Sequence, residues 1–247
     1  MPFTASHPAI ILPLTRLRLA SVSASCLVVG SITPDFEYFL TMKLTGRYSH
    51  SLAGAFFFDL PVAWVLVLVF HGIVKGPLID SLPGYFYRRL NDLQKFDFFT
   101  GIRTSFIGYT ICLLAGIFSH LFWDSFTHAN EFFVERLSLL SKPVQIINFP
   151  EFPLFRYLQH ISTGIGAMYI LYFFHHQPAI GKSNPVGWTY WIGVIIMSSI
   201  AFLIRRSFGF EYYGDVIATI IASILLAIVI MSSIRLIQNR YRQSLSR

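Results

Sequence analysis

His120, Asp124 and His128, in the stretch HLFWDSFTH, stand at positions i, i+4 and i+8. On a helix each of those steps drifts by only about 40°, so two imidazoles and one carboxylate share a face. Such a face is half of a divalent-metal site, because imidazole and carboxylate are ligands that zinc takes. Three more polar islands interrupt apolar sequence: His7 in MPFTASHPAI, Asp35 and Glu37 in GSITPDFEYF, and His50 in RYSHSL. Counted together, with His7 included only if segment 17–33 does not fully cross the bilayer, His7, Asp35, His50, His120, Asp124 and His128 are six candidate ligands, enough for two ions with three each, or fewer if an Asp bridges. Ionisable groups are costly at membrane depth and tend to mark function there. The competing explanation is structural: a His near the interface that satisfies a backbone carbonyl, and an Asp that caps a turn or pairs with an Arg.

The elements that must position these residues are membrane helices. The chain of 247 residues is 54% hydrophobic and 13% charged, with a mean hydropathy of +0.59, whereas an ordinary soluble domain is about 25% charged. That excludes a water-soluble globule. Apolar runs at 60–74, 104–123, 157–181, 183–204 and 216–234 each approach or exceed the length that crosses about 30 Å of hydrocarbon. The Ser-rich segment 17–33 is a sixth span, a buried helix or an interfacial one. The expected fold is an all-α, polytopic membrane helical bundle of about five to six helices, forming one integral membrane domain over 1–247. The stretch 142–154, with three prolines, reads as a flexible loop. Cys26 and Cys112 form no CxxC pair and support neither a disulfide framework nor a thiolate site.

Loop charge supplies an orientation. Lys75, Arg88, Arg89, Lys95 and Arg103 in one loop, and Arg235, Arg240, Arg242 and Arg247 in the tail, place both on the cytoplasmic side. His50 and the group 120–128 then emerge together on the outer face, with His175 and His176 on the other. Arg205 and Arg206 stand against this orientation, in a loop assigned outside. The net charge of +7 is read as loop charge and contact with anionic membrane lipid, not as a nucleic-acid surface.

The motifs MPFTASHPAIILPL, GSITPDFEYFL, SHSLAGAFFFDLP, SHLFWDSFTH and LQHISTGIG resemble, in order and across most of the chain, the bacterial multi-pass family called domain of unknown function 4184. They are in turn similar to membrane-bound metal-dependent hydrolases and, more distantly, to the zinc-dependent phospholipase C family. The resemblance implies His7, Asp35, His50, His120, Asp124 and His128 as metal ligands, in a bacterial inner membrane. No late Glu matches the phospholipase pattern, which counts against a full trinuclear site. His160, with Gln159 and Ser162, is a candidate for holding a substrate phosphate, or else a His hydrogen-bonded between helices.

The chemistry expected is metal-dependent hydrolysis of a lipid or lipid-linked phosphoester at the outer interface. A divalent ion, zinc by ligand type, lowers the pKa of a bound water and neutralises charge on a phosphoryl or carbonyl oxygen. Glu37 is the expected general base or a partner of a ligand, and Phe36, Tyr38, Phe122 and Trp123 the expected aromatic wall. Two alternatives stay open: a metal-ion or proton transporter with ligands near the midplane, and a non-catalytic membrane scaffold.

Overall fold

The computed structural model describes residues 4–16, 23–145, 150–182 and 184–245. Positions 17–22 of the Ser-rich segment, 146–149 of the proline-punctuated stretch and 183 at the head of the fourth apolar run lie outside the described residues. The main helices are α1 (Pro8–Ile11), α2 (Ala24–Ile32), α3 (Phe36–Thr41), α4 (Leu52–Ser81), α5 (Phe98–Thr127), α6 (Leu154–His175), α7 (Trp188–Arg206) and α8 (Tyr213–Leu245). Among the described residues, four helical stretches are long and apolar enough to cross a membrane: α4, the one that begins with α5, α7 and α8. The fold is therefore all-α and polytopic. The 22-residue α6 has the length, but Arg156, Gln159 and His160 lie in its first two turns. The nine residues of α2 rise only about 13 Å, too little to span.

One expectation is corrected outside the helices. The proline-punctuated stretch is not simply loop: Pro143–Val144 (β1) pairs antiparallel with Phe152–Pro153 (β2). Proline lacks a ladder donor, so a two-residue edge ribbon is the pairing it tolerates.

The chain forms two compact units, each assembled from discontinuous segments. The first comprises Met1–Asp35, Tyr48–Trp64 and Arg103–His176. Here Ser23 caps α2 by accepting the Cys26 N–H. Gly30 and Gly116 let α2 and α5 touch backbone to backbone. A Cβ on Gly30 would collide with the Leu113 carbonyl, and one on Gly116 would stand 2.6 Å from the Ser31 nitrogen. On the other side the Ser6 hydroxyl donates to the Thr163 carbonyl of α6 at 3.1 Å.

The second unit comprises Phe36–Arg47, Val65–Ile102 and Gln177–Arg247. Its core clusters are Phe39 with Ala218 and Ala222, and Tyr190 with Val194 and Ala227. Phe36 and Tyr38, expected as walls of a metal site, pack against the first of these clusters instead. The two residues follow Asp35 directly, but α3 turns their rings onto α8. Arg205 donates to the Gly209 carbonyl at 2.6 Å and to the Met42 carbonyl. That use of a cation on carbonyls at and beyond a helix C-terminus accounts for an Arg that the loop-charge pattern left unexplained.

Candidate metal centre

Each ligand candidate is delivered by a local feature of its own segment. Pro34 ends α2, and Asp35 follows in a single 3-10 turn, 2% exposed, with its Oδ2 accepting the Thr4 hydroxyl at 2.5 Å. His50 has φ +57, in the left-handed region that non-glycine residues seldom adopt. The next residue, Ser51, caps α4 by accepting the Gly54 N–H, and the chain then enters a π-helical segment, Ala55–Asp59. The turn at His50 carries the ring from the head of α4 toward Asp35. His120 and Asp124 lie one turn apart on α5, and His128 continues the line just beyond its last residue.

These residues converge in the first unit. His50 Nε2 stands 3.4 Å from Asp35 Oδ1 and 3.6 Å from Asp124 Oδ2, and His120 Nε2 stands 3.7 and 3.3 Å from the same two oxygens. The other oxygen of Asp124 faces His7 Nε2 at 3.5 Å and His128 Nδ1 at 3.4 Å. His7 stacks on His120 with ring centroids 3.7 Å apart. Two triplets, His7–Asp35–His120 and His50–His120–Asp124, each bring one ligand atom per residue within 4.8 Å of one another. The side chains of His7 and His120 are fully buried, whereas His50 and His128 are 18% and 26% exposed and form the open edge.

Two observations fit this basin to a cation. Both ring nitrogens of His7, the Nε2 of His120 and the Oδ1 of Asp124 are buried without a hydrogen bond among the described residues. Orphaned polar atoms of that kind are expensive unless something meets them. The imidazoles are also oriented from behind. His120 Nδ1 donates to the Ser31 carbonyl at 2.8 Å. Ser31 lies in the last turn of α2, where carbonyls lack helical partners. A carbonyl only accepts, so Nδ1 carries the proton and the Nε2 lone pair faces the basin. His50 Nδ1 meets the Ser49 hydroxyl at 3.0 Å, again turning Nε2 inward.

The charges follow from this packing. Burial and the neighbouring His120 push His7 down to about 3, against the pull of Asp124 and Asp35. Burial also opposes the charge on His50, but the Asp124 and Asp35 carboxylates outweigh it and raise this ring to about 10. Burial works to raise Asp35, yet hydrogen bonding to His50, the charge of His120 and the Thr4 hydroxyl hold it below the usual carboxylate range.

The remaining candidates divide. Gln159 is buried and its amide reaches His128 Nε2 at 3.2 Å. Ser162 accepts the Trp123 indole N–H at 3.3 Å, which locks α6 to α5. His160, one residue on from Gln159, is exposed. Glu37 belongs to the second unit, where its Oε1 accepts the Arg47 N–H at 2.7 Å. Phe122 is half exposed and meets Phe126 edge to face. Sequence reasoning missed Thr4, the Ser31 carbonyl and the Gly30–Gly116 approach. A Gly four residues before His120, and thus on its face of α5, was the available signal for the last.

A family described as Domain of unknown function (DUF4184) matches residues 1–233. No curated protein and no solved structure matches the chain.

Proposed function

The chain belongs to the family of domain of unknown function 4184, and from the geometry of the basin we propose that it is a membrane-embedded, metal-dependent hydrolase. The observation that carries this reading is one set of atoms: His50 Nε2, His120 Nε2, Asp35 Oδ1 and Asp124 Oδ2, with nitrogen and oxygen 3.3–3.7 Å apart. Two ligand atoms each bound about 2 Å from one tetrahedral zinc stand about 3.3 Å apart, close to these nitrogen–oxygen spacings. Two carboxylates with neutral imidazoles also balance a single divalent charge.

A bound divalent ion would supply a water of lowered pKa and polarise a phosphoryl or carbonyl oxygen. The chain's own residues do the rest. The Ser31 carbonyl holds His120 in the tautomer that ligation needs, and the Ser49 hydroxyl turns His50 Nε2 inward. His7, kept neutral, offers a ring nitrogen to a water or ester oxygen beside Asp124 Oδ1. The half-open edge at His50 and His128 admits substrate, while the buried floor keeps bulk water out.

The substrate class is a lipid or lipid-linked phosphoester, because a basin beside apolar helices can be reached from within the bilayer. The Lys and Arg asymmetry favours the extracytoplasmic side of a bacterial inner membrane. The order of the motifs, similar to that of membrane-bound hydrolases and the phospholipase C family, supports the reaction class, though likeness of fold alone does not carry function.

Detergent-purified protein is expected to retain about one equivalent of zinc and to hydrolyse phosphatidylcholine in mixed micelles. Both properties should be lost in Asp124→Ala, and activity should return to chelator-treated wild type on adding zinc. Less than about half an equivalent of metal, unaffected by alanine at His120 and Asp124, overturns the reading. Zinc flux into proteoliposomes that His120→Ala abolishes would favour transport.

A further inference from the structure

The two oxygens of Asp35 are engaged differently. Oδ1 faces the imidazoles, 3.4 Å from His50 Nε2 and 3.7 Å from His120 Nε2. Oδ2 accepts the Thr4 hydroxyl at 2.5 Å. The direction of that bond is fixed by chemistry, since an ionised carboxylate only accepts and the hydroxyl must donate. Its length is that of a charge-assisted O–H···O bond, roughly twice as strong as a neutral one. Aspartate does not set its own oxygens, because rotation about the terminal bond of its side chain is broad and two-fold. An outside partner has to choose which oxygen faces which way.

Thr4 is placed to be that partner. It opens the 3-10 turn Thr4–Ser6, and the His7 N–H closes the turn by donating to the Thr4 carbonyl at 3.3 Å. Side chains at i and i+3 eclipse in such a turn. Thr4 and His7 therefore arrive on one edge, Thr4 bonded to Asp35 and His7 stacked on His120. Ser6, between them, donates instead to the Thr163 carbonyl and so anchors the turn to α6. Thr4 is 8% and Asp35 2% exposed, which keeps bulk water from competing for the bond.

We propose that Thr4 is a positioning residue for Asp35: its hydroxyl occupies Oδ2 and leaves Oδ1 as the single oxygen that Asp35 gives to an ion. The role rests on the metal-binding reading above and adds to it how one carboxylate is aimed. Ligating carboxylates are commonly hydrogen-bonded from behind in this way. A threonine that only filled space would serve through its methyl group, whereas this one serves through its hydroxyl.

The test uses full-length protein in detergent micelles, wild type beside Thr4→Val and Thr4→Ser, with zinc and cobalt(II) as the probes. The valine variant removes the hydroxyl, and the serine variant keeps it without the methyl group. Equilibrium dialysis should show zinc affinity lowered about tenfold in Thr4→Val, the ordinary cost of losing a residue that orients a ligand. Thr4→Ser should keep the wild-type affinity. At saturating cobalt, visible absorption should weaken in Thr4→Val, because Oδ2 is then free to join Oδ1 on the ion and raise its coordination number. The serine variant should keep the wild-type spectrum. In an Asp35→Ala background, Thr4→Val should cause no further loss of affinity, because the oxygen it serves is gone.

Three results each overturn the proposal: wild-type affinity and spectrum in Thr4→Val, a Thr4→Ser variant that behaves like Thr4→Val, or a loss from Thr4→Val that persists undiminished without the Asp35 carboxylate. Wild-type protein that binds neither zinc nor cobalt defeats the metal reading and this role with it. That outcome is distinct from metal that binds and ignores Thr4, which defeats the role alone.

Discussion

Two buried aspartates in this protein solve the same problem in opposite ways. Asp215, at the head of α8 in the second unit, is 1% exposed, and its carboxylate accepts backbone N–H groups from Leu44 at 2.7 Å and from Glu211 and Tyr212 at 3.3 Å. Asp124 in the first unit is 4% exposed, yet its Oδ1 has no hydrogen bond among the described residues, and four imidazoles lie within 3.6 Å of its two oxygens. Backbone amides are fixed donors that nothing can displace. Imidazoles can lose a proton and bind a cation. A carboxylate compensated by amides is a structural tie, whereas one facing imidazoles has the partners that the proposed metal site requires, and burial alone does not tell them apart.

The contrast is open to direct attack. Asp124→Ala should cost more than about 100-fold in zinc affinity, since it removes a ligand and not merely a residue behind one. Equilibrium dialysis would read this, and retention of wild-type affinity would erase the distinction. Gly116→Leu should follow in size. A side chain there meets the Leu27 carbonyl and the Ser31 nitrogen, and the overpacking should cost about 3 kcal/mol while displacing the Ser31 carbonyl from His120. Gly164→Ala is the control, because nothing lies within 4 Å of its added Cβ.

Asp215→Ala should lower stability by about 2 kcal/mol, the effect of stripping a charged acceptor from buried amides. Its zinc content, measured on the same preparation, should match wild type. A fall in metal content with Asp215→Ala would show that the structural tie and the site are not separate.

The smallest effect is on pH dependence. In metal-free protein His50 titrates near 10, above its unfolded value of 6.5, so its stabilisation is complete below that value and is lost as pH rises toward 10. His7 titrates near 3, below 6.5, so its contribution is lost as pH falls from 6.5 toward 3. Thermal unfolding of chelator-treated protein should show greatest stability near neutral pH, and His50→Ala should flatten the alkaline side.

Much of the membrane fold was legible in sequence because hydropathy is a sum over local residues. Runs such as VIATIIASILLAIVIMSSI have no other stable environment, and they became helices. Run 157–181 was read less well. Its helix starts earlier, at Leu154, and its first turns carry the polar residues that face His128 and Trp123. The candidate ligands were legible through residue type and the four-residue spacing on α5. Glu37 was singled out for the same local reason. It is two residues from Asp35, but the start of α3 sends its carboxylate to the Arg47 N–H.

The sequence by itself determined that this chain is a helical membrane protein of the family it belongs to, and that His and Asp residues of ligand type punctuate its apolar runs. Those properties depend on composition and on spacing along one helix. Only the tertiary structure decided which of the residues meet, which ring nitrogen each imidazole turns inward, and that Asp124 faces imidazoles while Asp215 faces amides. The physical reason is that a tautomer or an orphaned oxygen is fixed by partners distant in sequence, as the Ser31 carbonyl, 89 residues from His120, fixes the proton on that ring. Residue type alone carries no record of them.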